Sequence, residues 1–466
     1  NNIFPKQLME KYFYILAGTV TVLQLVSAVF AFYLMDVKKL QDFKFSVLWD
    51  INRKGAEFFS ISPISLIFLF CIGFVSFVSV MIAIRTIDAK KGSYVNLLMT
   101  LIIGLNGMVM VNDLFSLYVF LDVVGISSFV MIAMFQSRKG LEGSIKYLII
   151  SELATIFILT GFAFIFMKTG SLSYRDIGVR LLENPSDPKT ILIYASLILM
   201  TAGFAVKTGA VPFHSWLPDA HQSADTSISV LLSGIVIKIA GIYSFVVLTS
   251  LFKGVKALQF SLATIGIISI VAGALLASCQ NHFKRIVAYS SVSQMGYILL
   301  GLSTGSPLGL IGAIAHVFSH AAFKSTLFSN AAALHEQTGT LEIEEMGGLQ
   351  NRMPVTALSS IVAFLSTAGI PPFAGFWSKL LVILALWTSG NRVLAGFALI
   401  ASIFTAVYLL RMQKKVFFGK TPEHLSEVKE ITGSIKFVEI FLTIVTSVFG
   451  LMFPLILVFL QSRGLI

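Results

Sequence analysis

Apolar runs long enough to cross a bilayer, about 20 residues each, recur along the whole of this 466-residue chain. They fall near 12–34, 61–84, 94–111, 114–135, 145–167, 190–209, 226–250, 258–278, 286–303, 308–333, 355–388, 393–411 and 436–460, thirteen in all. In lipid each backbone polar group must be satisfied within the segment, so the pattern predicts an all-α polytopic membrane protein. With 56% hydrophobic and 12% charged residues, a soluble domain, a disordered chain and a nucleic-acid binder are excluded. No segment between runs exceeds about 27 residues, too few for a separate soluble domain, so whatever the chain does is done within the bilayer.

The net charge of +11 sits mostly in short loops. Alternate loops are basic: Arg85 with Lys90 and Lys91, Arg138 with Lys139, Lys284 with Arg285, and Arg411 with Lys414, Lys415 and Lys420. The positive-inside rule places these on the cytoplasmic side, with residue 1 inside and the C-terminus outside. The loop at 35–60, with four lysines and Arg53, opposes that orientation, weakened by its four acids and its length. Cys71 and Cys279 both lie in apolar segments without a CxxC pair, so no metal site, iron–sulfur cluster or other cofactor is expected on this chain.

Two apolar runs are broken by proline within one local pattern: Gly209, Pro212 and Phe213 in GAVPFHSW, and Gly369, Pro372 and Phe373 in GIPPFAGFW, 160 residues apart. Five spans near 94–250 would then correspond to five near 258–411, in opposite orientation because the number is odd. Inverted repeats with paired broken helices are a transporter signature, since broken backbone must line a cavity or be buried in protein. The expected division is N-terminal spans at 1–93, a first repeat at 94–250, a second at 251–418, and a loop with the last span at 419–466.

Charges occupy span interiors, where each costs roughly 2.5–3.5 kcal/mol on insertion scales. Asp122 is midway along YVFLDVVGISSFVMIA, Glu152 lies in KYLIISELATIFIL, and Lys207 sits just before the first break. Lys238 is central in SVLLSGIVIKIAGIYSFVV, and Lys379 follows the second break. In AHVFSHAAFKSTLF, His316, His320 and Lys324 recur every four residues, which aligns them on one helix face over about 12 Å. Imidazole and desolvated amines exchange protons near neutral pH, so this stripe can conduct them. Blander readings exist for several of these residues. Lys146 is a snorkelling residue near a span end, and Lys207 is close enough to one to snorkel as well. Glu152 could be a structural partner of a basic group, and the histidine pair could be core packing or, least of all, a haem site. His214, Asp219 and His221 in PFHSWLPDAHQSADT are accessory candidates, with gating or capping standing beside proton carriage.

These segments resemble the antiporter-like proton-pumping subunits shared by respiratory complex I, Mrp-type multi-subunit Na+/H+ antiporters and membrane-bound hydrogenases. The resemblance runs over about 94–418, and its strongest stretches are AVKTGAVPFHSWLPDAHQSADTSISVLLSGIVIKIAGIY, NHFKRIVAYSSVSQMGYILLGL, HVFSHAAFKSTLF and GIPPFAGFWSK. It implies a carboxylate paired with Lys207 as a switched lysine, Lys238 as the next relay, His316, His320 and Lys324 as the central connection, and Lys379 as the far site. Asp122 stands where the family has glutamate, one methylene shorter, which puts the reach to Lys207 in question; Glu152 is the alternative partner. Against the family's usual fourteen spans, the thirteen here imply either one more ahead of Asn1 or a shortened variant of the subunit, and the short tail implies that the long lateral helix of the largest complex I pump subunit is absent.

The expectation is therefore an H+-translocating subunit in a cell membrane or another energy-transducing membrane. Other membrane subunits and a peripheral redox module are its implied partners, with iron–sulfur clusters or other redox centres on those partners. The chain itself would contribute to an oxidoreductase or translocase without holding an electron carrier. A subunit of a secondary Na+/H+ antiporter is the rival reading. A membrane scaffold whose polar residues only bind helices together has little use for an aligned His-His-Lys stripe.

Overall fold

A computed structural model of the chain describes residues 6–38, 43–45, 59–182 and 190–462. Asn1 and most of the basic loop at 35–60 lie outside the described residues. Apart from a two-stranded antiparallel ribbon, β1 (Phe43–Phe45) with β2 (Phe59–Ile61), the described regular structure is helical. The helices run α1 (Lys6–Lys38), α2 (Pro63–Thr86), α3 (Lys91–Met110), α4 (Leu114–Ala133), α5 (Arg138–Thr169), the short α6 (Tyr174–Leu182), α7 (Thr190–Thr208) and α8 (Trp216–Ser223). Then follow α9 (Thr226–Leu251), α10 (Lys256–Ser278), α11 (Phe283–Ser303), α12 (Pro307–Thr338), α13 (Pro354–Ala368), α14 (Ala374–Thr388), α15 (Arg392–Phe417) and α16 (Ser434–Ser462).

Eleven of the thirteen expected spans are single helices apolar enough to cross a membrane. The twelfth, α12, is 32 residues long but carries the polar stripe. The thirteenth, at 355–388, is the pair α13 and α14 on either side of the second break. Helix starts follow local chemistry: Asp113 accepts from Ser116 N at α4, Ser137 from Gly140 N at α5, and Ser306 from Gly309 N at α12, with Pro307 opening the helix. These side chains satisfy N–H groups that lipid would leave bare.

The two breaks share one backbone design. Each helix ends on the residue before a glycine of positive φ, 69° at Gly209 and 81° at Gly369, and each then passes through a cis X-Pro bond, Val211–Pro212 or Pro371–Pro372. Glycine takes that left-handed conformation without a Cβ clash, which is why the Gly-x-x-Pro-Phe spacing appears twice. The arms differ: α8 is eight residues long with a polar sequence, whereas α14 is fifteen and apolar.

The described residues form two compact units. One draws on Asn1–Val80, Ala89–Thr208 and Ile235–Lys253, the other on Met81–Asp88, Gly209–Gly234 and Gly254–Ile466. Both are packed through small residues, as membrane bundles are, because lipid gives helices no hydrophobic reason to associate and close approach must supply it. In the first unit a Cβ on Gly203 of α7 would lie 2.8 Å from Ala154 O of α5. In the second a Cβ on Gly273 of α10 would lie 2.5 Å from Ser293 N of α11.

Basic loop residues also hold helix ends. Within the first unit Lys90 Nζ donates to Met134 O, the C-cap of α4, at 2.6 Å. Within the second Arg411 donates to Ser278 O at the end of α10, and Lys284 to Ala224 O after α8. A cation on the last carbonyls offsets the negative end of the helix dipole, so residues read for orientation do structural work too. Lys284 in particular is not a loop residue in contact with water: it is buried at the start of α11.

Candidate functional site

In the first unit the polar residues converge on the end of α7. Lys207 is 4% exposed, and its Nζ donates to Ser151 Oγ of α5 at 2.7 Å. Gly125 of α4 faces this pair: a Cβ there would stand in ordinary contact, 3.8 Å from Nζ and 3.6 Å from Ser151 Oγ. Gly125 is one turn beyond Asp122, yet no ion pair joins Lys207 to Asp122 or Glu152 among the described residues. Glu152 and Asp122 both lie within electrostatic range of Lys207. Both are half-buried, and Asp122 Oδ1 is buried with no hydrogen-bond partner among the described residues. This is the arrangement of a lysine between partners, held by a neutral hydroxyl with two acids in electrostatic range.

Lys238 is 1% exposed in α9, beside Cys71 of α2. Its helix departs from α geometry there, with π turns at Leu232–Val236 and Lys238–Tyr243, a deviation that recurs at functional sites. A Cβ on Gly241 would stand 2.6 Å from Thr208 Cα. That glycine therefore lets α9 lie against the end of α7 that carries Lys207.

In the second unit the sequence-derived residues form a connected group. Lys324, wholly buried, donates to Val287 O of α11 at 2.8 Å and also to Ser290 Oγ. One turn earlier on α12 is His320, and one turn before that His316, with ring centroids 6.4 Å apart. His316 Nδ1 lies 2.9 Å from Ser378 Oγ, the neighbour of Lys379 on α14. The ring of Tyr297 on α11 joins the same two residues: its centroid is 5.9 Å from that of His316 and 4.5 Å from Lys379 Nζ. Lys379 also donates to Thr367 O at 2.8 Å and reaches Ser402 Oγ at 3.4 Å. Within one unit, contacts therefore link His316 to Lys379 through Ser378 and Tyr297, while His320 and Lys324 follow His316 at successive turns of α12.

The accessory candidates divide by role. Asp219 forms an ion pair with Arg285 at 2.7 Å, and Arg285 also reaches Gln222 and Gln280. These contacts fasten α8 to the start of α11. His221 is fully buried and stacks on Phe328, one turn past Lys324, at 4.7 Å, whereas His214 sits half-buried against Tyr289 at 6.1 Å. Lys146 pairs with Glu142 on the exposed side of α5, as a snorkelling residue does.

Sequence reasoning missed the neutral residues that touch the charges, Ser151, Ser290, Tyr297 and Ser378, and the buried Gln294 between two of them on α11. Ser290, Gln294 and Tyr297 share one face of α11 by their spacing of four and three. Gln294 is fully buried, and its amide has no hydrogen-bond partner among the described residues. That spacing was visible in AYSSVSQMGY. Also missed was Glu439, fully buried in α16.

Paired broken helices with buried lysines beside them define a polytopic ion-transport subunit of the antiporter-like class. Residues 111–405 match the family model described as NADH:quinone oxidoreductase/Mrp antiporter, TM, and the chain belongs to that family. It is 32% identical over 337 residues to NADH-quinone oxidoreductase subunit N of Desulforudis audaxviator, a match covering 72% of this chain and 66% of that protein. To an Na(+)/H(+) antiporter subunit of Alkalihalophilus pseudofirmus it is 31% identical over 350 residues, covering 74% and 70%. Its fold superposes on a chain of the Mrp complex from Dietzia sp. DQ12-45-1b with a TM-score of 0.86 at 23% identity, over 96% of this chain and 91% of that one.

Proposed function

We propose that this protein is the H+-conducting membrane subunit of a larger assembly, in which protons pass from Lys207 and Lys238 through Lys324, His320 and His316 to Lys379. The observation that carries the reading is the run of contacts from His316 to Lys379, where Ser378 and Tyr297 fill the step between imidazole and ammonium. Residues that lipid penalises this heavily persist where they face one another or an ion path. Transfer between the two imidazoles would run through one bridging water, a link nearly as favourable as a direct hydrogen bond.

At the entry, Lys207 is the switch. Moving its ammonium from Ser151 toward Glu152 or Asp122 stabilises the charged form, and withdrawing it favours release of the proton. A charge or a shape change arriving from a neighbouring subunit would supply the motion. Because a relative is a subunit of NADH-quinone oxidoreductase, the driving module is proposed to be a redox one, with iron–sulfur clusters or other centres held by partner subunits. The likeness to a subunit of an Na(+)/H(+) antiporter supports a second reading, ion exchange down existing gradients by the same lysines.

Replacing Lys207 by Ala should abolish proton transport while leaving the assembly intact, as read by dye quenching in vesicles against subunit content. Full transport by an assembled Lys207→Ala complex would contradict the scheme. Gentle purification separates the two drivers: redox proteins in the isolated complex support pumping, and small hydrophobic partners alone support antiport.

A further inference from the structure

Glu439 lies in the second unit, one and a half turns into α16, with none of its surface exposed, although Phe437 and Ile440 on the same helix are 50% and 43% exposed. Both of its oxygens are engaged by other helices. Asn330 Nδ2 of α12 donates to Oε1 at 2.7 Å, and Thr356 Oγ1 of α13 is 3.0 Å from Oε2. The same Thr356 Oγ1 is also 3.0 Å from Oε1 of Glu430.

A hydroxyl has one proton to give. Thr356 can therefore donate to only one of these two acids, and the other must bring a proton of its own to the shared oxygen. The surroundings decide which. Glu430 is partly exposed and accepts two backbone N–H groups, Val355 N on Oε2 at 2.6 Å and Ile431 N on Oε1 at 3.0 Å. Val355 is in the first turn of α13, where a helix favours a negative charge. Glu439 receives one side-chain amide and no ion pair among the described residues. The charged groups acting on it are Glu430 and Lys436, while α12 and α13 face it with the uncharged Asn330 and Thr356. Glu430 is thus the carboxylate, and Glu439 the acid.

Asn330 is fully buried and held in place for this contact: its Nδ2 also lies 2.6 Å from Ser359 Oγ and 3.4 Å from Thr356 O, and Ser359 Oγ in turn donates to Thr356 O.

We propose that Glu439, Thr356 and Glu430 form a proton-binding site apart from the lysine row, with a short path to water at Glu430, which is flanked by exposed Lys429, Thr432 and Gly433. In the transfer the Glu439 Oε2–H bond breaks as a Thr356 O–H bond forms. The original Thr356 proton passes at the same time to Glu430 Oε1, so one proton enters and one leaves the hydroxyl. Glu430 then exchanges it with solvent.

Infrared spectroscopy on the full chain in its own membranes tests this. Wild type should show the carbonyl band of a protonated carboxylic acid at neutral pH, and transfer to heavy water should shift it. Glu439→Gln should lose that band, Thr356→Val should keep it but slow its shift, and Thr356→Ser should restore the rate. An acid carbonyl region in Glu439→Gln identical to wild type would overturn the site, and a shift in Thr356→Val as fast as in wild type would overturn the path. Should Glu439→Gln fail to assemble, Glu439→Asp replaces it: a displaced band supports the assignment and an unmoved one refutes it. Transport by Lys207→Ala is a separate readout, so the row and this site can fail independently.

Discussion

Lys207 touches a serine rather than either of the acids expected to hold it. Asp122 and Glu152, the latter one residue beyond Ser151, both lie within electrostatic range of Lys207. Glu152→Gln and Asp122→Asn should each reduce transport, and Asp122→Glu should be tolerated, all measured on assembled protein. Transport at the wild-type rate by both amide variants would remove the two acids from the switch. The lysines and the His-His-Lys stripe were legible in the sequence because an ionisable residue within an apolar span is costly and therefore rare. Ser151, Tyr297 and Ser378 were not, since small hydroxyls and aromatic rings are ordinary in membrane helices. Glu439 escaped for a different reason: it stands near a span end, where acids are unremarkable. What buries it are Asn330 and Thr356, 109 and 83 residues away in sequence.

Among the elements, the two breaks were readable because Gly and Pro each demand particular backbone geometry, and the repeated spacing marked both. The π turns of α9 were not, because an i→i+5 bond leaves no periodicity for apolar residues to report. They surround Lys238, and the following turn presses Gly241 onto Thr208 Cα. Gly241→Ala has little room to relax, as Cα and N of Thr208 obstruct it along with the Thr208 hydroxyl. It should lower stability by about 1–3 kcal/mol, the usual cost of overpacking, and impair transport as the end of α7 is displaced. A thermal-unfolding midpoint and transport rate both equal to wild type would show that α7 and α9 do not depend on this contact. Lys284 and Arg285 were read as orientation signals, and the structure adds a second duty: they fasten α8 and the chain after it to α11.

For the whole molecule, apolar arithmetic alone placed the chain in the bilayer, and its sparse charges then marked the candidate path. The division into two compact units was less visible, because residues 209–234 fall inside the five-span segment read at 94–250 but belong to the second unit. Such an exchange is set by tertiary packing, which span counting does not see. The central claim is that ions cross this protein along the buried lysines and histidines, and Lys379, which the contacts from His316 reach in the second unit, is where it is most exposed to test. Proton uptake by sealed vesicles holding the assembled complex, compared between wild type and Lys379→Ala at matched subunit content, is the direct measurement. Loss of the proton gradient in the variant is the predicted result, and a gradient of wild-type size would contradict the account.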